Sequence, residues 1–529
     1  MAVQKSSAYP SGLSRWILVL TVISCALLEM IDATIVNVAL PEISGSIGAT
    51  RTEIAWVVTA YSIGNAIVIP LSGMLSNLLG RRKYFTGSVV LFTACSLMCG
   101  LSTSLWTLVV WRFIQGLAGG GLLSTAQSIM IDAFPPEKIN TANAIFGVGV
   151  VVGPIIGPVL GGVLVQHLTW HWIFFVNLPV GAVAAMLSWM FVANLEDVQR
   201  PKKIDGWGIL FLVVAVSALQ YVLEEGGSKD CFASTPIVVL SLTAVVGIIA
   251  FVWRELKVEY PVVDIRLLKN YNLAIGNILN LVTGAMLLSS MFIFPLFVRV
   301  SLGWTSIQTG LFLMYLGISC TVGIVIVKRV LDQGVSPKIA LLIGMSLLSV
   351  YLLLMSFSSP DSGGRDFIFP FILGGLGMAF FFMPIMSLSL SGLRGSDLAQ
   401  GTGLFNMIKR LGGAIGLAVM NIYLNHQNAG VGTALVPYGN AYNPIATERV
   451  GAFKQFFIAA GYAADDAMQA AYQMMGNLFH KQQMLVSYNH GYLMMSLVIV
   501  VICVPIIALI KVKKENQAVQ VSGGDEQRK

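Results

Sequence analysis

Long apolar segments separated by short polar stretches fill the sequence between residues 16 and 511. A transmembrane helix needs about 20 mostly apolar residues, and segments of this kind recur fourteen times along the chain. The predicted spans are 16–39, 53–75, 84–102, 105–130, 141–165, 171–193, 206–223, 235–253, 272–298, 306–327, 337–357, 367–390, 398–421 and 490–511. The pattern predicts an all-α polytopic membrane protein with fourteen transmembrane helices.

The composition agrees with this class of protein. Of the 529 residues, 56% are hydrophobic and only 11% are charged, against about 25% charged residues in soluble domains. The net charge of +7 is expected to reside in loops, so it does not indicate nucleic-acid binding. No Cys/His metal spacing, Ser/His/Asp set or phosphate-binding loop is apparent. We therefore expect no metal, no cofactor and no enzymatic activity.

Basic residues predict the orientation in the membrane. An even number of spans places both termini on one side, and the segments of that side hold 22 Lys and Arg residues. The short loops of the other side hold 4. Because Lys and Arg concentrate in cytoplasmic loops, both termini are predicted to be cytoplasmic. The first helix is expected to stay as an uncleaved anchor, since no small-residue cleavage site follows it.

The fourteen predicted helices divide as six, two and six. The predicted regions are a cytoplasmic N-terminus 1–15, a six-helix bundle 16–194, two extra helices with linkers 195–270, a second six-helix bundle 271–512 and a disordered cytoplasmic tail 513–529. The second bundle contains the longest polar stretch, 422–489, which is predicted to lie outside. This stretch is a candidate docking surface for another envelope protein, or a passive insertion.

Two carboxylates interrupt the first apolar segment, Glu29 and Asp32. Their spacing of three residues places them on one face of a helix. A charge inside a bilayer is costly and commonly marks an ion or substrate pathway. A buried carboxylate that loads and releases a proton is what a proton-coupled transporter needs. The alternative is a polar contact between helices with no turnover.

Arg112 in the fourth predicted helix needs a buried partner. With a rise of about 1.5 Å per residue, Asp32 lies about 12 Å below the outer end of its helix at Leu40. By the same measure Arg112 lies about 10 Å below the outer start of its helix at Leu105. This match in depth predicts an interaction between Asp32 and Arg112, or competition between them for a proton.

A glycine-containing motif, GMLSNLLGRRK, follows the second predicted helix at its cytoplasmic end. The glycines permit close approach to neighbouring helices, and the basic residues face the cytoplasm. The motif is a candidate gate, or an anchor that only fixes orientation. Its candidate residues are Gly73, Asn77, Gly80, Arg81 and Arg82.

The fifth predicted helix carries glycines at every fourth position. Such small-xxx-small spacing lets membrane helices pack backbone to backbone, and two prolines on the same helix favour a bend. We expect a helix that pivots against a partner, with static packing as the alternative. The residues of this motif are Gly149, Gly153, Pro154, Gly157, Pro158, Gly161 and Gly162.

Two basic residues, Lys409 and Arg410, lie about 16 Å inside the thirteenth predicted helix. Adjacent helical residues point about 100° apart, so both are not expected to line one cavity. Either residue is a candidate for attracting an anionic substrate or for pairing across the bundles, with a structural role as the alternative. Asn37 is a further candidate for substrate contact or charge pairing.

Together these segments resemble the Major Facilitator Superfamily, specifically the fourteen-helix drug:proton antiporters of the EmrB/QacA group. IDATIVNVALP is similar to the family's first-helix signature and places Asp32 on its acidic position. LVVWRFIQG places Arg112 on the arginine of the fourth-helix motif, and GPIIGPVLGG resembles the antiporter motif. In the gate motif, Asn77 stands where the family usually has Asp. Glu29 matches no family position.

This resemblance implies a proton-driven exporter of amphipathic or hydrophobic compounds that works by alternating access. The long stretch 422–489 is most similar to the EmrB branch, which implies a bacterial inner-membrane component that works with a periplasmic adaptor and an outer-membrane channel. Two alternatives remain at this stage. The chain could export one metabolite, such as a siderophore or an organic acid, or it could be a non-transporting receptor on the same fold.

Overall fold

A computed structural model of the chain describes residues 12–135, 138–193, 205–226, 234–259, 261–391, 393, 395–439 and 442–510. Within these ranges all regular secondary structure is helical. Residues 1–11 of the predicted cytoplasmic N-terminus, the linker 194–204 and the predicted tail lie outside the described residues.

The first half of the chain forms nine helices within the described ranges. They are α1 (Gly12–Ile47), α2 (Arg51–Ile54), α3 (Trp56–Leu79), α4 (Arg81–Gly100), α5 (Leu105–Gly119), α6 (Leu122–Asp132), α7 (Ile139–His167), α8 (Trp172–Phe175) and α9 (Asn177–Phe191). α1 packs along α7 and α9, and α3 packs along α5.

The rest of the described chain contains ten α-helices. They are α10 (Gly206–Glu225), α11 (Thr235–Lys257), α12 (Tyr271–Val300), α13 (Ser306–Asp332), α14 (Pro337–Met355), α15 (Gly364–Leu390), α16 (Gly395–Leu435), α17 (Pro444–Ala459), α18 (Ala464–Val498) and α19 (Val504–Leu509). A π-helical turn, Ile499–Cys503, joins the last two. α12 packs along α16, and α15 packs along α13 and α14.

Twelve helices among the described residues are long and apolar enough to cross a membrane. The two predicted spans that are not among them, 84–102 and 105–130, are also helical in the structure. One is α4, which begins with three basic residues, and the other is divided into α5 and α6. The helical membrane fold is confirmed, while fourteen spans and cytoplasmic termini remain predictions.

The two halves meet along a small set of helices. α7 of the first half packs against α13 and α15, and α3 and α6 pack against α16. The 6 + 2 + 6 division remains a prediction, because its first boundary falls in residues outside the described ranges.

The two extra helices, α10 and α11, form a hairpin that packs on α3 and α16. An ion pair closes the hairpin at one end, where Arg254 Nε lies 2.9 Å from Asp205 Oδ2 and Arg254 Nη2 donates to Asp205 Oδ1 over 3.0 Å. Hydrogen bonds from Arg254 hold the pKa of Asp205 below its usual value, although partial burial opposes this shift. The hairpin therefore has a polar clasp of its own.

The stretch 422–489, predicted as a polar external segment, is largely helical. α16 runs without interruption to Leu435, because no proline occurs between residues 395 and 435 and the first one, Pro437, lies in the 3-10 turn that follows. α17 packs on α18, and Gln483 Nε2 donates to the Asn428 carbonyl over 2.6 Å. The segment is thus a set of packed helices continuous with two membrane helices.

Candidate functional site

Asp32 on α1 and Arg112 on α5 form a direct ion pair inside the first half of the chain. Arg112 Nη1 lies 2.6 Å from Asp32 Oδ2, and both side chains are 0% exposed. The contact joins two residues that the sequence related only by depth. Because a buried charge without a partner is strongly disfavoured, each residue supplies the partner that the other needs at this depth.

Two amide side chains complete the surroundings of the Asp32 carboxylate. Gln115 Nε2 and Asn177 Nδ2 both donate to Asp32 Oδ1, over 3.0 Å and 2.9 Å. Asn177 Nδ2 also donates to Ser96 Oγ, which donates to the carbonyl oxygen of Phe174. The carboxylate therefore ties α1 to α5 and α9 and, through Ser96, to α4.

The Arg112 guanidinium has contacts on several sides. Nε donates to the Val57 carbonyl over 3.3 Å, and Nη1 also donates to Gln115 Oε1 over 2.8 Å. The guanidinium lies over the Tyr61 ring, 4.1 Å from its centroid, which is a favourable cation–π distance. Nη2 has no hydrogen-bond partner within the described chain. Such a buried donor without a partner is uncommon in native structures.

Glu29 lies one turn before Asp32 but has different partners. Asn65 Nδ2 donates to Glu29 Oε1 over 3.0 Å, and the backbone N–H of Leu123 donates to Oε2 over 3.1 Å. Leu123 lies in the first turn of α6, where backbone N–H groups lack partners within the helix and favour a negative charge. Glu29 is 1% exposed, and Arg410 of the second half lies within electrostatic range.

Three consecutive glycines, positions 119–121, mark the break between α5, which ends at Gly119, and α6, which begins at Leu122. A Cβ atom on Gly120 would lie 2.5 Å from the Asn65 carbonyl oxygen, and one on Gly121 would overlap the Tyr84 hydroxyl. Glycine therefore allows the chain to pass directly against α3 and α4 at this point. The interruption also creates the free N–H group that binds Glu29.

The glycines spaced by four residues on α7 face α1, the helix that carries both carboxylates. A Cβ atom on Gly157 would overlap the Thr34 side chain and lie 3.1 Å from the Ile31 carbonyl oxygen. Gly149, Gly153 and Gly161 similarly meet Ile23, Met30 and Ile35 of α1. The backbones of α1 and α7 can approach this closely because the α7 face has no side chains.

Other residues of the same motif lie differently. Pro154 and Pro158 are inside α7, where each lacks the N–H donor of a normal helical residue. Gly162 has no atom within 4 Å of the position that a Cβ would occupy, so it is not part of the face that packs on α1.

In the candidate gate motif, Arg81 finds its partners on α6. Arg81 Nη2 lies 2.8 Å from Asp132 Oδ2 and donates to Ser128 Oγ over 2.9 Å. Gly80 adopts a φ of 85°, a left-handed conformation that glycine adopts at little cost, and it separates α3 from α4. Asn77 is buried near the end of α3. Thus α6 supplies the carboxylate that position 77 lacks.

Two further residues of that motif have separate surroundings. Arg82 lies over the Trp189 ring of α9, 4.4 Å from its centroid. Gly73 is buried within α3.

Lys409 and Arg410 point in different directions from α16. Lys409 lines a cavity whose walls come from α6 and α7 of the first half and from α13, α15 and α16 of the second. Its Nζ atom lies 4.1 Å from the centroid of the Phe382 ring. Arg410 does not line this cavity. It is instead close enough to Glu29 for the two opposite charges to attract each other.

The structure does not bring Asn37 into either site, because its side chain is exposed. Conversely, the sequence analysis missed Asn65, Gln115 and Asn177, which bind the two carboxylates. Each is an amide within an apolar helix, and Gln115 follows Arg112 by one turn. A search for every polar residue in the predicted spans, and not only for charged residues, would have found them.

Within the described ranges no group of three or more His, Cys, Asp and Glu residues could hold a metal ion. The five cysteines of those ranges are buried and free. The sixth cysteine, Cys231, falls outside the described residues.

Long apolar helices packed as two groups around an interior cavity, with a buried ion pair in one group, define a membrane transporter of the two-bundle class. Residues 22–417 match the family model of the Major Facilitator Superfamily, and the chain belongs to that superfamily. The predicted resemblance is therefore confirmed, and membership identifies a transporter and not an enzyme.

Two relatives cover most of the chain. It is 32% identical over 432 residues to the multidrug export protein EmrB of Haemophilus influenzae, spanning 81% of this chain and 84% of that protein. It is 30% identical over 488 residues to the fatty acid resistance protein FarB of Neisseria gonorrhoeae, spanning 92% of this chain and 94% of that protein.

A solved structure supports the fold. The human organic anion transporter MFSD10 (TETRAN) superposes with a TM-score of 0.59, covering 92% of this chain and 100% of that one, at 14% sequence identity. At this identity the likeness concerns the arrangement of helices alone.

Proposed function

We propose that this protein is a proton-coupled multidrug efflux transporter that exports amphipathic compounds by alternating access. The observation that carries the proposal is the Asp32 carboxylate, which is 0% exposed and bound at once by Arg112, Gln115 and Asn177. An ionisable group inside a membrane helix, held by partners on other helices, is typical of a proton relay.

Protonation of Asp32 would change the packing of several helices together. It removes the charge that attracts Arg112 and converts the carboxylate from an acceptor into a partial donor. The guanidinium then loses its negatively charged partner, and the Val57 carbonyl and Gln115 Oε1 remain as neutral acceptors. Because the network joins α1, α4, α5 and α9, loading and release of one proton would favour two different arrangements of the first bundle.

The glycine face of α7 supports the motion that this cycle requires. α1 carries the proton site and lies directly against that face, where Gly157 contacts Ile31 and Thr34. A smooth face lets one helix slide or rotate without removing interlocked side chains. We infer that α1 and α7 move relative to each other when Asp32 exchanges its proton.

Glu29 is the second proposed proton carrier. It is as deeply buried as Asp32, but an amide and a backbone N–H bind it instead of a cation in direct contact. Asp32, by contrast, has the Arg112 guanidinium at 2.6 Å. The two carboxylates therefore have different partners, and they would act at different points of the cycle.

The proposed cellular setting is the bacterial inner membrane, in partnership with a periplasmic adaptor and an outer-membrane channel. Relatives named multidrug export protein and fatty acid resistance protein cover 81% and 92% of this chain and support export of amphipathic compounds. The helices from the end of α16 to the start of α18 supply a surface for such an adaptor, with Phe456 62% and Tyr472 57% exposed.

Dye efflux from proteoliposomes, with and without an imposed pH gradient, tests the proposed coupling. We expect the gradient to drive efflux by the wild type and by Glu42→Gln, which removes an exposed carboxylate from the same helix. We expect Asp32→Asn to abolish gradient-driven efflux while the protein still inserts. Gradient-driven efflux at the wild-type rate by Asp32→Asn would overturn the assignment of the proton site.

The partnership has a separate test. Phe456→Glu and Tyr472→Glu place charges on the exposed extension, far from Asp32 in the chain. We expect these variants to transport dye normally in proteoliposomes but to lose drug resistance in intact cells. Full resistance in cells would show that this surface does not bind an adaptor.

A further inference from the structure

We propose that the cavity between the two halves binds the anionic head of an amphipathic substrate, with the Lys409 ammonium as its counter-ion. This proposal rests on the proposed function only for the idea that the bound compound is then transported. It names a substrate class, amphipathic monoanions such as carboxylates, that the coupling site does not determine.

The charge of the cavity is the first observation. Lys409 is the one charged side chain among the residues of the described chain that line it. Neither buried carboxylate of α1 belongs to the lining. Asp32 is paired with Arg112, and Glu29 is bound by Asn65 and Leu123. The cavity is therefore cationic and lacks an acidic residue that could receive a positively charged compound.

The surroundings of Lys409 are the second observation. Among the described residues, no Asp or Glu forms an ion pair with Lys409. Its ammonium instead lies 4.1 Å from the centroid of the Phe382 ring. An aromatic face attracts an ammonium, but it supplies neither a negative charge nor a strong hydrogen-bond acceptor. An ammonium in this position lacks the partner that buried charges normally have, and a carboxylate would provide it.

Neutral amides next to the cation supply directional contacts. Asn406, one turn before Lys409, donates to Gln127 Oε1 over 2.8 Å and so links α16 to α6 across the two halves. Asn143 on α7 lines the same cavity and is 4% exposed, and its Oδ1 atom has no hydrogen-bond partner within the described chain. This unpartnered oxygen is an acceptor, so it can bind an N–H or O–H group elsewhere on the ligand, while the carboxylate itself is left to Lys409.

The remaining wall is apolar and adaptable. Phe146, Phe405, Met383 and Met386 line it together with aliphatic side chains. Methionine side chains adapt to ligands of different shapes, which suits a variable hydrophobic tail. In this conformation the cavity encloses about 60 Å³, which is room for a few water molecules and well below the roughly 300 Å³ of common ligand pockets. Binding of the whole tail thus requires the halves to separate.

Fluorescent probes of opposite charge test the proposal directly. Dansylglycine carries a carboxylate and dansylcadaverine carries an ammonium, while both contain the same apolar fluorophore. Binding to the full-length protein in nanodiscs is measured from the fluorescence increase, after subtraction of the signal from nanodiscs without protein. We expect the wild type to bind dansylglycine at least about tenfold more tightly than dansylcadaverine, which is the difference that one charge-assisted hydrogen bond predicts.

Variants then assign the preference to one residue. Lys409→Met should lower the affinity for dansylglycine about tenfold and leave that for dansylcadaverine unchanged or higher, whereas Lys409→Arg should retain the preference for the anion. Lys328→Met removes a lysine that is 35% exposed and lies 3.9 Å from Asp332, and it should behave as the wild type. Gel filtration of each variant establishes that it is folded.

Two results would overturn the proposal: equal affinity of the wild type for both probes, or unchanged dansylglycine binding by folded Lys409→Met. These failures are separate from failure of the proposed function. Gradient-driven efflux with a preference for dansylcadaverine would support proton coupling and reject the anion site. Binding of dansylglycine that depends on Lys409, without any effect of the gradient on flux, would support the site and reject the coupling.

Discussion

The Arg81 guanidinium at the start of α4 forms a 2.8 Å ion pair with Asp132 at the end of α6. The arginine side chain is 6% exposed and the aspartate 30% exposed, so the pair lies at the edge of the packed helices. The related motif usually has an acidic residue at position 77, where this chain has Asn77. The candidate gate motif of this protein is therefore held by a contact between α4 and α6, the helix whose other end binds Glu29.

We expect Asp132→Asn to weaken the contact between α4 and α6, because it leaves the buried Arg81 without its negative partner. The expected loss of stability is about 1–3 kcal/mol, since a hydrogen bond from Arg81 to Ser128 remains. The second variant, Asn77→Asp in the Asp132→Asn background, should restore part of the loss by placing a carboxylate near the end of α3, four residues before Arg81. Thermal unfolding and dye efflux measure both effects, and absence of any rescue would argue against an interchangeable partner.

The glycine face of α7 yields a matched pair of substitutions. Gly157→Ala should impair efflux severely, because its methyl group would overlap Thr34 and force α1 away from α7. Gly162→Ala should preserve efflux, because nothing lies within 4 Å of the added atom. Both changes raise helix propensity equally, by about 1 kcal/mol, so packing alone distinguishes them. Efflux rates at equal expression levels decide the comparison, and equal activity of the two variants would contradict the packing argument.

Glu29 has a prediction distinct from that of Asp32. Glu29→Gln keeps an oxygen that can accept a hydrogen bond from Asn65 or Leu123, so the variant should fold normally. It cannot exchange a proton, and we expect fewer protons to be transported per substrate molecule. The number of protons transported per substrate molecule is calculated from the largest substrate gradient that a fixed pH gradient sustains in proteoliposomes. An unchanged ratio would restrict Glu29 to a structural contact.

The clasp between Asp205 and Arg254 should make stability depend on pH. The folded-state pKa of Asp205 is lowered, so its contribution is present above the unfolded-state pKa of about 3.9 and is lost as the pH falls through the folded-state value. We expect the wild type to have a higher Tm than Asp205→Asn at pH 7, with the difference shrinking below about pH 4. A difference in Tm that stays constant from pH 7 to strongly acidic pH would contradict this.

The sequence by itself determined the class of the protein and its charged sites. The apolar segments had to be membrane helices because backbone groups in a bilayer must be satisfied within the segment. Asp32 and Arg112 stood out for a similar reason, since charges in such segments are costly. Glycines at every fourth residue of α7 indicated a packing face because that spacing repeats on one side of a helix. These inferences depend on local chemistry and helical period.

Only the tertiary structure decided which groups meet. Asn177, which lies 145 residues from Asp32, binds the same carboxylate oxygen as Gln115, and no local pattern specifies such a contact. The partner of Arg81 and the different directions of Lys409 and Arg410 likewise depend on how helices from distant parts of the chain pack. The physical reason is that apolar burial in a bilayer fixes that a segment is a helix but not its neighbour, which close packing and polar pairing select.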